Sequence, residues 1–206
     1  SPVNCAALHI HSKESGVGKT TAIAAAVSVW GRPEELIINE RDTFNTKMHR
    51  GEIYHNLPLY MDELTNSSAN ELSNLAYQLT GGRQRGRMTS GGNAERYRGD
   101  AWKLLSVTTG NTSIIERVSM AKAMPKAEAQ RILEVKVDRL FSGAEEKEEQ
   151  DRFSAALSNH YGTAGKEYVQ YVISNLDAVT KLIDEVRGKV DKAAGLTSEN
   201  RFWSAF

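Results

Sequence analysis

The segment KESGVGKTT, Lys13–Thr21, constrains this chain more than any other stretch. Before it stands a short alternating run, Cys5–His11. After it comes the alanine-rich Thr20–Trp30, with Ile23, Val27 and Trp30 at helical spacing and Gly31 and Pro33 closing it. A strand that feeds a glycine loop opening a helix aims backbone N–H groups and the positive end of the helix dipole at one point, which suits a polyanionic phosphate. Gly16 and Gly18 permit the tight turns such a loop needs. Lys19 has the reach for β- and γ-phosphates, and the Thr20 hydroxyl suits Mg²⁺. The expected nucleotide-binding residues are therefore Ser15, Gly16, Val17, Gly18, Lys19, Thr20 and Thr21, with ATP and Mg²⁺ as ligands. One position departs from the pattern GxxxxGK[ST]: Lys13 stands where glycine is expected, which puts the backbone at the start of the loop in question.

The rest of the chain supplies more strands and helices. Leu36–Ile38 and Leu57–Met61 read as brief buried strands separated by a polar stretch. Asn70–Thr80 reads as a helix, with Leu72, Leu75, Ala76 and Leu79 on one face and Gly81 and Gly82 ending it. Trp102–Thr108 and Ile132–Val137 return to strand character, the latter nearer an edge because charge alternates with its apolar residues. Strands alternating with helices give an α/β fold of P-loop type, with a parallel sheet of about five strands flanked by helices. After Phe141 helix formers take over, beginning with the charged run Glu145–Glu149. There Val179, Leu182, Ile183, Val186 and Val190 form a stripe expected to lay the last third as a helical layer against the sheet. The division predicted is a core over residues 1–142 and a C-terminal helical extension over 143–206. A chain of 206 residues, 40% hydrophobic, buries one good core but not two large ones.

Chemistry concentrates where strands end. In LPLYMDE, Leu57–Glu63, an apolar strand delivers two carboxylates to its carboxyl end, the edge at which open α/β sheets bind ligands. Asp62 is expected to hold Mg²⁺ through its water shell, and Glu63 to orient and deprotonate an attacking water. In LLSVTTGNTS, Leu104–Ser113, Asn111 is placed to hydrogen-bond a γ-phosphate or that water, with Thr109 as the fallback. Charge is balanced overall, 26 basic against 26 acidic residues, so any nucleic-acid surface must be local. The most basic stretch is Gly81–Lys103, with five arginines and Lys103 against Glu95 and Asp100. Within it Arg83, Arg85 and Arg87 alternate, as would suit one side of an extended ribbon facing successive phosphates, and Tyr97 offers a ring for base stacking. The five histidines have no spacing that makes a metal site. The single cysteine, Cys5, excludes an internal disulfide, and no apolar run is long enough for a membrane span, so the cytoplasm is the expected compartment. The start at Ser1, running almost at once into a strand, reads as a piece of a longer polypeptide.

The three motifs, in this order, resemble those of AAA+ ATPases, and more narrowly the superfamily 3 type of phage and plasmid replicative helicases. The phrases SGVGKTTAIAAAVSVWG, NLPLYMDEL, LAYQLTGGRQRGR, LLSVTTGN and HYGTAGKEYV resemble the domain of unknown function 927 family of phage and mobile-element primase and helicase proteins. That likeness runs over roughly Leu8–Val169. It implies an ATP-driven DNA helicase or translocase motor of a phage or mobile-element replication protein, in the host cytoplasm if phage-encoded. It also implies a homo-hexameric ring acting on single-stranded or forked DNA, with a primase or polymerase domain in the same polypeptide. In such a ring the neighbouring subunit supplies an arginine, for which Arg131 and then Arg117 are the candidates. In superfamily 3 enzymes the corresponding segment faces the central pore and grips DNA, which the resemblance implies for Gly81–Lys103, and Lys166 is a candidate second sensor near the nucleotide. A loader module that binds ATP to organise a replication complex without unwinding is the alternative. A small-molecule kinase lacks an acceptor site in this sequence.

Overall fold

The structure, a computed structural model, describes residues 5–92, 94–97, 99–121, 131–138, 144–193 and 195. The boundary predicted at 142/143 lies outside these. Strand β1 (Ala6–His11) leads through the glycine loop into helix α1 (Lys19–Ser28), then α2 (Pro33–Leu36) and α3 (Phe44–Tyr54). Strand β2 (Leu59–Met61) is followed by α4 (Ala69–Gly81), the short strands β3 (Arg87–Met88) and β4 (Glu95–Arg96), and β5 (Leu105–Gly110). Helix α5 (Ile114–Ala121) and strand β6 (Ile132–Lys136) come next, then three helices, α6 (Ala144–Asn159), α7 (Thr163–Ser174) and α8 (Leu176–Ala193).

The main sheet runs β2-β5-β1-β6, all parallel, with Leu8 opposite Val107 and Leu133 in the neighbouring strands. It has four strands among the described residues rather than five. Leu36–Ile38 contributes only a bridge between Ile38 and Met61, because Pro33 starts a helical turn that runs to Leu36 and leaves too little extended chain for a ladder.

The period-two alternation of the strands divides the interior into two layers. Ala7, Leu59 and Met61 face a core shared with Met48 of α3, the Leu72, Leu75, Ala76 and Leu79 face of α4, Trp102, and Ile114 and Val118 of α5. Leu8, Ile10, Tyr60 and Val107 face the other side, against Ile23 and Val27 of α1. Burying those last two side chains contributes about 1.5–3 kcal/mol each.

Local chemistry sets the helix limits. A capping box starts α4, Ser68 accepting from the Glu71 N–H while Glu71 accepts from the Ser68 N–H, and left-handed Gly82 ends it. Helix α3 occupies what reads in sequence as a polar stretch. The Thr43 side chain caps it, and it buries Lys47, Met48 and Gly51, the last beneath the Trp102 ring.

Helix α6 packs on α1 and α2. Helix α7 meets the end of α1 through Gly165, whose N–H donates to the Val29 carbonyl at 2.8 Å, and through Tyr168, edge-on to Trp30. Helix α8 corrects an expectation. It buries no residue, and Leu182, Ile183, Val186 and Val190 stand about half exposed rather than packed on the sheet. An apolar stripe at helical spacing reports an amphipathic helix but not the surface that covers it.

Candidate functional site

The loop after β1 turns on two left-handed glycines, Gly16 at φ 73° and Gly18 at φ 88°. A Cβ at either would meet no atom within 4 Å, so backbone conformation rather than space requires glycine there. Lys13 is not among the residues with positive φ, so the missing glycine at the start of the loop costs no backbone strain. Gly18 is the N-cap of α1 and no side chain caps that helix start, which leaves its N–H groups facing the loop. Ser15 is exposed and Val17 half-buried, and both lie within the turn.

Lys19 is nearly buried. Its Nζ donates to the Glu14 carbonyl at 3.2 Å and to Asn111 Oδ1 at 3.0 Å. The Asn111 amide turns its other end to Glu63, Nδ2 donating to Oε1 at 3.4 Å. Three residues 92 positions apart at the extremes thus meet at the carboxyl edge of the sheet, bridged by one side chain. Asn111 is held in turn by its own N–H, which donates to Thr65 Oγ1 at 2.8 Å. Arg117 donates to the Thr65 carbonyl, so this arginine belongs to the same network in its own chain.

Thr109 meets the acidic pair directly. Its hydroxyl donates to Asp62 Oδ1 and accepts from the Glu63 N–H at 3.1 Å, and its carbonyl accepts from the Leu64 N–H at 2.9 Å. Those bonds hold Glu63 at φ 59°, a left-handed conformation that costs a non-glycine residue about 1–3 kcal/mol. Neither Thr65 nor the double role of Thr109 has a signal in the sequence.

Thr20 and Asp62 open into one cleft of about 320 Å³, lined also by Asn39, Glu34 and Ser154. A hydroxyl and a single carboxylate suit a hard cation that keeps most of its water, as Mg²⁺ does, rather than a fully protein-ligated metal. No group of three or more His, Cys, Asp or Glu capable of holding a metal lies among the described residues. The Thr21 hydroxyl accepts from Gln150 of α6 at 3.2 Å, so α6 borders this cleft.

The other predicted residues are dispersed. Arg131 precedes β6, whose Ile132 pairs with Ala7 at the start of β1, so it sits at the sheet edge away from the loop. Its guanidinium lies 4.5 Å from the centre of the Tyr77 ring. Arg83 and Arg85 do not share one side of a ribbon, because the extended hairpin begins only at Arg87. Arg83 Nη2 donates to the Gly99 carbonyl at 3.5 Å, and Arg85 Nη2 to Asn74 Oδ1 of α4 at 3.1 Å. Tyr97 is 75% exposed, its hydroxyl on Asp100. Lys166 is exposed on α7, one residue beyond the contact with the far end of α1, and is not brought to the loop. No helix among the described residues is long and apolar enough to cross a membrane.

A protein-family model described as "Domain of unknown function (DUF927)" matches residues 3–99. The match takes in the glycine loop and the acidic pair, and stops before the strand that carries Thr109 and Asn111. No curated protein matches the sequence. Among solved structures, the SCCmec type IV Cch active helicase superposes with a TM-score of 0.70 at 19% identity, covering 98% of this chain and 36% of that one. The chain therefore spans about a third of that protein, and what the two share at this identity is the fold, in which the described residues of this chain form a four-stranded parallel sheet flanked by helices.

Proposed function

We propose that this chain is the ATP-hydrolysing P-loop module, of AAA+ superfamily 3 type, of a DNA helicase or translocase from a phage or mobile element. The observation that carries this reading is the junction of Lys19, Asn111 and Glu63 at the carboxyl edge of the sheet, beside a left-handed glycine loop. The helicase fold of the solved neighbour supports it.

In this mechanism the N–H groups of the loop and of the start of α1 receive the phosphate chain, and Lys19 Nζ exchanges its carbonyl partners for β- and γ-oxygens. Thr20 and the second oxygen of Asp62 would hold Mg²⁺, which offsets negative charge on the phosphates when bound. A water held by Glu63 attacks the γ-phosphorus in line. The new P–O bond forms as the bond to the β,γ-bridging oxygen breaks, ADP leaves with that oxygen, and Glu63 takes the proton of the water. Asn111 touches both Lys19 and Glu63, so it can report the γ-phosphate to the base.

An arginine from a neighbouring subunit, Arg131 or Arg117, would complete the site in a hexameric ring. For Arg131 this means leaving the Tyr77 ring, and for Arg117 it means leaving Thr65. Arg83, Arg85 and Arg87, with Tyr97, would meet single-stranded DNA.

The test is ATP turnover with and without single-stranded DNA, wild type against Glu63→Gln, at concentrations that allow rings to form. Turnover stimulated by DNA and abolished by Glu63→Gln supports the motor. ATP-dependent assembly with negligible DNA-stimulated turnover shifts the reading to a loader, and an absence of nucleotide binding removes both.

A further inference from the structure

Asn111 lies on a three-residue connection, 111–113, between β5 and α5, and no strand or helix pairing fixes it. Two side chains from the next strands of the sheet, β1 and β6, hold that connection. His9 of β1 is 1% exposed, with Nε2 3.0 Å from the Thr112 carbonyl and Nδ1 2.8 Å from Thr108 Oγ1. A carbonyl only accepts, so Nε2 carries the proton; in the neutral ring Nδ1 then accepts from the Thr108 hydroxyl. Glu134 of β6, in register with His9, takes the start of α5. Its carboxylate accepts from Ser113 Oγ at 2.5 Å, from the Ile114 N–H at 2.6 Å and from the Ile115 N–H at 3.1 Å. Ser113 Oγ also accepts from the Glu116 N–H at 2.9 Å, which completes the cap.

We propose that His9 and Glu134 are positioning residues that set Asn111 against Lys19 and Glu63. This rests on the reading of Glu63 and Asn111 as hydrolytic groups. The connection is pinned at consecutive residues: Asn111 by Thr65, Thr112 by His9, and Ser113 with the next two N–H groups by Glu134. Release of the last two pins leaves, of these three, only the bond from the Asn111 N–H to Thr65. Misplacement of a catalytic contact by about an ångström costs up to about a hundredfold in rate.

The experiment measures kcat, nucleotide KM and urea midpoints for Glu134→Ala, Glu134→Gln, His9→Leu and His9→Gln, each in the wild-type and the Asn111→Ala background. Glutamine at position 9 keeps an N–H donor near the place of Nε2, and glutamine at 134 keeps one acceptor for the helix start. The expected result is a fall in kcat of roughly ten- to a hundredfold for Glu134→Ala and His9→Leu, with KM little changed, and recovery of most of it in the two glutamine variants. In the Asn111→Ala background the same substitutions cost little further kcat, because their effect runs through Asn111. An unchanged kcat per folded molecule, or an undiminished drop without Asn111, overturns the proposal while leaving the ATPase reading intact. If Glu134→Ala does not fold, the His9 pair and Glu134→Gln decide on the same criteria. Wild-type protein lacking any Glu63-dependent turnover removes the ATPase reading and, with it, this inference.

Discussion

Replacing Asn111 with alanine removes a side chain that touches both charged ends of the proposed centre. A hydrogen bond to a charged group contributes about 1.5–3 kcal/mol. The bond to Lys19, at 3.0 Å, counts nearly in full, and the bond to Glu63, at 3.4 Å, counts for a fraction. A loss of about 2–3 kcal/mol in the transition state lowers kcat roughly 30- to 160-fold, at about 1.36 kcal/mol per decade. ADP binding should change much less, because in the proposed mechanism the loop backbone rather than Asn111 would hold the diphosphate. The bond from the Asn111 N–H to Thr65 survives the substitution, so the urea midpoint should move little. Asn111→Asp separates contact from charge: it keeps an acceptor for Lys19 but sets a second carboxylate against Glu63, and its turnover should fall below that of alanine. Phosphate-release kinetics with ADP titration by calorimetry would measure both effects. An Asn111→Ala enzyme within threefold of a wild type that Glu63→Gln abolishes would refute the reasoning.

Arg85→Ala should weaken single-stranded DNA binding and reduce the slope of log affinity against log salt by about 0.7 if Arg85 meets a phosphate, as fluorescence anisotropy over a salt series would register. Trp102→Phe keeps a ring over Gly51 but removes the indole bond to the Leu79 carbonyl at 2.9 Å, and should cost about 1–3 kcal/mol in urea unfolding. Gly165→Ala would place a methyl 2.6 Å from the Val29 carbonyl and 2.8 Å from the Trp30 ring, so α7 should detach and become open to limited proteolysis while the sheet stays folded. Burial holds the His9 pKa below its ordinary value, outweighing its hydrogen bonds and the attraction of Glu134. The unfolded chain then binds a proton that the folded chain refuses, so this contribution to stability is full above about pH 6.5 and is lost as pH falls below it. Urea midpoints between pH 5 and 8 should show that slope in the wild type and lose it in His9→Gln.

The parts of this fold legible in sequence are those where a local rule and the tertiary position agree. The strand, glycine loop and helix around Lys19 announce themselves by composition, and α4 by its apolar period and terminal glycines. Helix α3 escaped because its buried face is made of Lys47, Met48 and Gly51, two of which carry no hydrophobic signal. Lys47 is buried by its surroundings, with its ammonium on the Glu40 carbonyl at 3.2 Å, and this is invisible in a hydropathy pattern. Helix α5 follows Asn111 and Ser113, which read as the tail of a strand. Ser113 three residues before Glu116 is a local start signal, its Oγ accepting from the Glu116 N–H, but the carboxylate that takes the next two N–H groups comes from Glu134, some twenty residues later. At the site, Lys19, Asp62, Glu63 and Asn111 were visible as strand-end and loop chemistry. Thr65 and Glu134 were not, because each acts through a contact that only the parallel register of the sheet creates.

Helix α1 is ten residues long, about 15 Å, and is gripped at both ends. Its first residues form the rim of the glycine loop. Its last carbonyls, those of Ser28 and Val29, accept from the Gly162 and Gly165 N–H groups at 2.7 and 2.8 Å. Main-chain bonds at the far end leave little slack of the kind that side chains provide by changing rotamer. A rod clamped in this way behaves as a lever. A tilt of its loop end by a few degrees would shift its far end, and with it the start of α7, so a shape change at the glycine loop would be felt where α7 begins.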